Sequence, residues 1–420
     1  MEQWLALAVF VVTFAAIIVE KVHKTLVALA GAMAMLLLGL ISQERAFEGV
    51  DWNVIFLLAA MMIIANALRR TGIFRWTAMK IIDVARGEPV AVLLLLSTLT
   101  AVASAFLDNV TTVVLMVPLT LFVANALAIS PVPFLISEIL ASNIGGAATL
   151  IGDPPNIIIG SASGLDFGAF LFNMGPLILV VYLAFAGLTV LFFRKELKTS
   201  LRHRAEAIAM PEEGVIRDRR LLVQSMIVLV AVILGFLLHG FLHYEAATVA
   251  LTGAVALMLF ANLEVHEVLS ELEWTTLLFF IGLFVVVEAL VEVGWIETAA
   301  RAMLDLTGGN EAVTAMILLW GSGVASGIVD NIPYTATMVP IVQELSATMR
   351  PEPLWWSQAI GACLGGNATA VGASANVIVL SLADRAGYKI SFVRFLKYGL
   401  IVTFVSLAIR TVYVWLRYLM

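Results

Sequence analysis

Apolar runs separated by short polar breaks divide the chain into two series of segments. Runs of this length are typical of helices, and the Gly, Pro and Asp residues in the breaks are typical of helix ends. In the first series the pattern predicts helices at about 4–19, 25–41, 53–68, 72–86, 90–107, 110–128, 134–149 (resuming after a break to about 165) and 170–193. In the second series it predicts them at 222–241, 246–262, 275–292, 294–306, 312–329, 332–348, 357–371, 376–383 and 394–416.

The second series repeats the first in the same order, which predicts an N-terminal repeat at 1–193 and a C-terminal repeat at 222–420. Between them, 194–221 is the only long polar segment and is predicted to be a basic linker. Because polar, Gly and Pro positions coincide in one register, chance similarity is improbable. Adding 222 to a position in the first series matches Trp52 with Trp274, Gly72 with Gly294, and Asp108-Asn109 with Asp330-Asn331. Further along, adding 220 matches Gly145-Gly146 with Gly365-Gly366, Thr149 with Thr369, and Asn156 with Asn376.

The composition places these segments in a membrane. The 420 residues are 61% hydrophobic and 13% charged, whereas soluble domains are about half apolar and about a quarter charged. A soluble enzyme is therefore excluded, and at roughly 20 apolar residues per span the chain has room for about ten transmembrane helices. A single cysteine, Cys363, excludes a cysteine-cluster metal site, and no basic stretch interleaved with aromatic residues indicates nucleic acid. We expect an all-α polytopic membrane protein with no cofactor and no metal site.

The paired arms at 90–128 and 312–348 are predicted to be re-entrant helical hairpins. Each pair joins through two residues, with no Arg or Lys near the junction, although each arm, at about 27 Å, is long enough to cross. In either case a repeat crosses an odd number of times, so the second repeat lies inverted. Placing the basic linker in the cytoplasm puts 19 of the 24 Lys and Arg residues there, Lys24 among them, and leaves five outside, Arg410 among them. Both termini are then outside the inner (plasma) membrane.

Three carboxylates stand in apolar surroundings: Asp108, Asp153 and Asp330. An ionisable group within hydrocarbon costs at least about 2.5–3.5 kcal/mol and is usually retained for a task. Each also precedes an apolar run, where Asp can cap a helix. Ser, Thr or Asn could cap without that cost, so Asp at two matched positions favours a role in transport. Asp153 is matched by Ala373, and such a lone titratable group is a candidate for proton coupling.

The broken helices at 134–165 and 357–383 carry further candidate residues. Freed backbone groups in a membrane are tolerated where they line a cavity or are buried in protein, and broken helices at matching places of inverted repeats mark a midplane binding site. Close packing through small residues is the alternative. The predicted substrate- or ion-binding residues are Asp108, Asn109, Thr111, Thr112, Gly145, Gly146, Thr149, Gly152, Asp153, Asn156, Asp330, Asn331, Thr335, Cys363, Gly365, Gly366, Asn367, Thr369, Ser374 and Asn376.

Four stretches resemble signatures of the ion transporter superfamily: Asp108-Asn109-Val110-Thr111-Thr112, the segment 145–156, Asp330-Asn331-Ile332-Pro333, and the segment 361–367. Within the superfamily, the sequence is similar to the branch that holds arsenite/antimonite efflux permeases, NhaD-type sodium/proton antiporters and the melanosomal P protein. The resemblance covers nearly the whole chain. It implies an inverted-repeat fold with two re-entrant hairpins and two broken helices, which moves as an elevator-like transport domain against a scaffold.

The first functional hypothesis is a secondary transporter that exports arsenite or antimonite in exchange for protons. Arsenite is an uncharged trihydroxy solute at neutral pH, and the amides of Asn109, Asn156, Asn331 and Asn376 would suit it. The second hypothesis is a sodium (or lithium)/proton antiporter, with the three aspartates as cation ligands. The third is a transporter of a citrate-like organic anion, which would favour an Arg or Lys near the hairpin tips; we expect none there.

An intramembrane enzyme is the rival class. The sequence has neither the Tyr-Asp and Gly-x-Gly-Asp motifs of intramembrane aspartyl proteases nor the Asp-rich box of prenyl transferases. It also has no P-loop, which excludes ATP-driven pumping by this chain alone and leaves a separate ATPase subunit as a further partner. A channel is disfavoured, because paired broken helices indicate alternating access.

Overall fold

The computed structural model describes residues 2–19, 21–209, 215–242 and 244–420, and every regular element in these ranges is a helix. The N-terminal repeat contains α1 (Glu2–Val19), α2 (Lys24–Leu37), α3 (Gln43–Glu48), α4 (Trp52–Arg70), α5 (Ile73–Val84), α6 (Pro89–Phe106), α7 (Asn109–Ala126), α8 (Val132–Gly146), α9 (Pro154–Ser163) and α10 (Phe167–Phe193). The linker contains α11 (Leu201–Ile208). The C-terminal repeat contains α12 (Arg219–Leu242), α13 (Ala246–Phe260), α14 (Val265–Ser270), α15 (Trp274–Glu292), α16 (Trp295–Thr307), α17 (Glu311–Ile328), α18 (Asn331–Ser346), α19 (Pro351–Gly365), α20 (Ser374–Arg385) and α21 (Phe392–Val414), followed by a π-helical turn at Trp415–Leu419.

The long apolar segments are helices as predicted, and the differences lie at their ends. The short helices α3, α11 and α14 fall in stretches that the pattern left as loops, because six to eight residues are too few to show a helical period. Helix α8 ends at Gly146 and α19 at Gly365, before the predicted ends at 149 and 371, since turns follow both glycines. Part of the predicted linker, 210–214, lies outside the described residues.

Nine helices within the described ranges are long and apolar enough to cross a membrane, and α2, α8 and α13 are shorter apolar helices. These numbers agree with the all-α, multi-pass architecture expected from the composition. Helices of equal length also follow in the same order in both repeats: α4 and α15 have 19 residues, α6 and α17 have 18, and α8 and α19 have 15.

Contacts between the two repeats come in matched pairs. Helix α2 packs against α15 and α13 packs against α4, while α7 packs against α20 and α18 packs against α9. Within each repeat, α6 packs along α8 and α17 packs along α19. Such reciprocal contacts are expected for two copies related by a two-fold axis. The inversion of the second repeat relative to a membrane and the re-entrant course of the hairpins stay predictions.

Glycines allow the close approach of the broken helices to the first arms of the hairpins. A Cβ atom on Gly145 of α8 would lie 2.0 Å from the carbonyl oxygen of Ala101, and one on Gly365 of α19 would lie 2.5 Å from that of Gly323. Ala101 and Gly323 are matched by the offset of 222. For Gly145 and Gly365, the alternative of close helix packing therefore applies, and this packing positions each break beside a hairpin tip.

Replacement of Gly145 by alanine should destabilise the protein, since the added methyl group overlaps the backbone of α6. We expect Gly145→Ala to lower the free energy of unfolding by about 1–3 kcal/mol, as overpacked core substitutions do. Gly321→Ala is the matched control, because a Cβ atom on this helical glycine of α17 meets nothing within 4 Å. Thermal unfolding of the detergent-purified protein measures the difference, and equal melting temperatures for the two variants would contradict the close packing.

Candidate functional site

Each hairpin turns at an Asp-Asn pair whose aspartate caps the second arm. Asp108 Oδ1 accepts the N–H of Thr111 at 2.9 Å, and Asp330 Oδ1 accepts the N–H of Ile332 at 3.1 Å. Both aspartates are shielded from solvent: Asp108 is 4% exposed, and the side chain of Asp330 is 10% exposed. Both aspartates therefore do cap helices, each through its Oδ1 atom.

A matched asparagine satisfies the freed carbonyl groups of each helix break. Asn156 Nδ2 donates to the carbonyl oxygen of Thr149 at 2.8 Å, and Asn376 Nδ2 donates to that of Thr369 at 2.9 Å. Each asparagine also donates to a second carbonyl oxygen at the end of the preceding helix. The breaks are therefore held in defined conformations by side chains from the helices that follow them.

The threonine of each break ties it to the first hairpin arm. The Thr149 hydroxyl donates to the carbonyl oxygen of Ala105, and the Thr369 hydroxyl donates to that of Gly327 at 2.6 Å. Since α6 and α17 end at 106 and 328, both bonds act at the hairpin tips. Asn331 adds a further tie, because its backbone N–H donates to Gly372 O at 3.1 Å.

Asp153 is the point at which both hairpin tips meet. Its Oδ1 atom accepts from Asn109 Nδ2 at 3.0 Å, and Asn331 Nδ2 lies 3.3 Å from each of its carboxylate oxygens. The Asp153 residue is fully buried. The unmatched carboxylate of the N-terminal repeat therefore contacts matched asparagines from both repeats.

A second group of buried amides adjoins this centre, and its central member, Asn143, was missed in the sequence. Asn143 Nδ2 donates to Asn367 Oδ1 and to Asn376 Oδ1, both at 2.9 Å, and Asn143 Oδ1 accepts from Asn109 Nδ2 at 3.3 Å. The sequence did carry a signal for Asn143, because the offset of 220 matches it with Cys363, a predicted site residue.

Cys363 occupies the equivalent place in the other repeat. Its thiol donates to Asn156 Oδ1 at 3.1 Å, just as Asn143 donates to Asn376. The thiol is fully buried. Cys363 is therefore part of the amide network around the breaks.

A cavity of about 540 Å³ opens beside the second hairpin tip, and its polar lining includes Lys24, Asp108, Glu273 and Ser374. We call it the Lys24 cavity. Lys24 Nζ lies 3.0 Å from Asp330 Oδ2 and 2.5 Å from Ser374 Oγ. The expectation that no Arg or Lys lies near the hairpin tips was therefore wrong, because α2 is distant along the chain and reaches the tip only through its packing on α15.

A second cavity, of about 410 Å³, has a lining that matches the Lys24 cavity through the offsets of the repeat. We call it the mate cavity. The matched lining positions are Asn53 and Thr275, Leu57 and Phe279, Glu245 and His23, Ala246 and Lys24, and Ile157 and Val377. The mate cavity therefore has alanine where the first has lysine, and its lining includes neither hairpin-tip aspartate.

The remaining predicted residues are either threonines whose hydroxyl groups have no partner or glycines that allow close packing. The hydroxyl groups of Thr112 and Thr335 are buried without a hydrogen-bond partner. Gly146 and Gly152 face each other across the first break, where a Cβ atom on Gly146 would lie 2.5 Å from Gly152 O. Gly366 is the counterpart of Gly146, and a Cβ atom there would lie 3.0 Å from Gly372 O. These glycines shape the breaks and offer no side-chain ligand.

Two further buried ionisable side chains, Glu138 and Arg410, form hydrogen bonds to partners outside this amide network. Glu138 of α8 accepts the Thr120 hydroxyl through Oε1, and its Oε2 has no partner. Arg410 of α21 donates from Nη1 to the Ile360 carbonyl oxygen at 2.6 Å, and its Nε and Nη2 have no partner. Arg410, which the topology places among the five outside cations, is fully buried within the protein, as its position inside the last apolar run indicates.

Comparison with known proteins places this site in a family. Residues 14–361 match the family model described as Citrate transporter. The uncharacterized transporter Rv2685 of Mycobacterium tuberculosis (strain ATCC 25618 / H37Rv) is 47% identical over 422 residues, which cover 99% of this chain and 98% of that protein. The human P protein is 33% identical over 495 residues, which cover 97% of this chain and 59% of the P protein.

Two solved structures share the fold. The Neisseria gonorrhoeae transporter MtrF, described among antimetabolite efflux pumps, aligns with a TM-score of 0.62 at 12% identity over 99% of this chain and 94% of MtrF. The Alcanivorax borkumensis YdaH transporter aligns with a TM-score of 0.58 at 15% identity over 91% of this chain and 88% of YdaH. The resemblance to the ion transporter superfamily is thereby confirmed. The chain belongs to the citrate transporter family of that superfamily and is a multi-pass membrane transporter, not an enzyme.

Proposed function

We propose that this protein is a secondary-active transporter in which Asp153 couples the movement of a small solute to protons. The observation that supports the proposal is the environment of Asp153. Its carboxylate is fully buried and accepts hydrogen bonds from Asn109 and Asn331, and among the described residues no Lys, Arg or His forms an ion pair with it.

Neutral amide donors offset only part of the cost of burying a carboxylate. An ionised carboxylate without a cation costs several kcal/mol in a protein interior, and a bound proton removes that cost. Because Asn109 and Asn331 belong to different hairpins, a proton on Asp153 would change the hydrogen bonds that hold both hairpin tips. Protonation and the arrangement of the two repeats are linked in this way.

The two matched cavities support alternating access. If the repeats 1–193 and 222–420 are inverted, as we propose, the two cavities face opposite sides of the membrane. The lining of the Lys24 cavity includes Asp108, whereas that of the mate cavity includes neither hairpin-tip aspartate. With the basic linker in the cytoplasm and both termini outside, the Lys24 cavity would face the cytoplasm of a cell with this protein in its inner membrane.

The solute that we propose first is arsenite or antimonite, carried outward in exchange for protons. The thiol of Cys363 is hydrogen-bonded to Asn156, and the ammonium group of Lys24 already forms an ion pair with Asp330. What the centre offers is a set of amide groups, which suit an uncharged trihydroxy solute. On binding, the side-chain amides of Asn109 and Asn143 would give up the hydrogen bond between them and form hydrogen bonds to the solute instead.

A second candidate solute is a citrate-like organic anion. Lys24 favours it, since this ammonium group lines the cavity beside the second hairpin tip. A carboxylate of the solute could replace Asp330 as the partner of Lys24. The description of the matching family, Citrate transporter, agrees with this alternative.

Asp153→Asn should strongly slow proton-coupled transport. Asparagine keeps the shape and polarity of the side chain but cannot take up and release a proton at neutral pH. We expect the rate of solute-driven proton movement in proteoliposomes to fall by about tenfold or more, which corresponds to a loss of about 1.4 kcal/mol. Asp305→Asn, at an exposed position of α16, is the control. An Asp153→Asn protein that keeps the wild-type rate would contradict the proposal.

The solute is identified with the same proteoliposomes and an internal pH-sensitive dye. Arsenite or antimonite on one side should move protons across the membrane in the wild-type protein. Proton movement with sodium or lithium and none with arsenite would instead assign a sodium/proton antiporter. Movement with citrate alone would assign the organic-anion alternative.

A further inference from the structure

The ammonium group of Lys24 sits where a small metal cation could be coordinated. It lies 3.0 Å from Asp330 Oδ2 and 2.5 Å from Ser374 Oγ, and the Ser374 hydroxyl donates to the same carboxylate oxygen at 2.5 Å. The aliphatic stem of Lys24 brings the charge over the ring of Phe279, whose centroid is 4.9 Å from Nζ. Carboxylate and hydroxyl oxygens are the ligands that hard cations prefer.

We propose that Lys24 is a specificity-determining residue: its ammonium group is a built-in cation that occupies a site formed by Asp330 and Ser374 and thereby makes the protein independent of Na⁺. Removing this ammonium group leaves a vacant site of oxygen ligands, which Na⁺ then fills. The inference deepens the proposed function, since it explains why protons alone serve as the coupling ion, but the site itself does not require that function.

The geometry at Asp330 is prepared for one cation. The other carboxylate oxygen is held by the backbone N–H of Ile332 at 3.1 Å, so Oδ2 is aimed in a fixed direction. Asp330 N-caps α18, and Ser374 begins α20 after the second break. The cation at this point therefore joins the second hairpin, the second break and, through Lys24, the start of α2.

The corresponding place in the other repeat has no such occupant. Asp108 is the counterpart of Asp330, but the positions that match Lys24 and Ser374 hold Ala246 and Pro154. Neither alanine nor proline supplies a charge or a hydroxyl group. The built-in cation is thus a feature of the second hairpin alone, and the approximate symmetry of the repeats does not require it.

The site is also open to ions from solution. The side chain of Lys24 is 26% exposed, and the Lys24 cavity leads to it. The other titratable groups on the cavity wall are His23, Asp108 and Glu273. The covalent tether of Lys24 and its position over the Phe279 ring give its ammonium group an advantage over Na⁺ from solution.

The test is Na⁺-specific stabilisation of the full-length protein in detergent, measured as melting temperature in NaCl against choline chloride at the same ionic strength. Wild type should melt at the same temperature in both salts. Lys24→Met keeps the stem and removes the charge, and we expect it to melt about 2–4 °C higher in NaCl. Lys24→Arg should behave like wild type, and Lys21→Ala, at an exposed neighbouring lysine, should do so too.

Several outcomes would overturn the assignment. One is a Lys24→Met protein with no difference between the salts, and another is a wild-type protein with the same difference. Lys24→Met/Asp330→Asn lacks both charges and should lose the Na⁺ effect; its persistence would place the cation elsewhere. If Lys24→Met does not fold in choline chloride, NaCl should restore its folding. If Lys24→Met stays unfolded in both salts while the double variant folds, the proposal that Na⁺ fills the vacant site is refuted. Because no solute is added, failure here is separate from failure of proton coupling at Asp153.

Discussion

The burial of one carboxylate at the meeting point of two hairpins is the constraint on which the centre of this transporter depends. The carboxylate of Asp153 is shielded from solvent, and hydrogen bonds from the side-chain amides of Asn109 and Asn331 offset part of the cost of burying it. Because an unsatisfied buried carboxylate is so costly, these three side chains must stay together unless a proton or another cation replaces part of the interaction. The hydrogen bonds of both hairpin tips therefore converge on one side chain.

The rest of the centre repeats this principle with neutral groups. A helix that is interrupted within a membrane leaves backbone carbonyl groups without partners, and the amides of Asn156 and Asn376 supply them. The glycines have a different part: Gly145 and Gly365 remove side-chain volume where backbones approach within contact distance. Small residues in the breaks thus determine the distance between helices, while asparagine, threonine and aspartate supply the polar partners at that distance.

The two repeats provide matched scaffolds, and the roles proposed for Asp153 and Lys24 lie at positions where the repeats differ. The offsets of the repeat match Asp153 with Ala373 and Lys24 with Ala246. A charge present in only one repeat makes the two ends of the molecule chemically distinct, although their helices and cavities correspond. The proposed coupling at Asp153 and the proposed built-in cation at Lys24 both rest on this difference.

The sequence alone determined the helical membrane class, the order and approximate limits of the long helices, and the internal repeat, because hydrophobic runs and the spacing of Gly, Pro and Asp are local properties of the chain. It also singled out Asp153 and the asparagines of the tips and breaks. Only the tertiary structure decided which polar side chains meet: Lys24 reaches Asp330 from 306 positions away, Asn143 joins amides of the other repeat, and Arg410 is buried against α19. The free energy of a buried polar group depends on its partner, and partners so distant along the chain are brought together only by the packing of the helices.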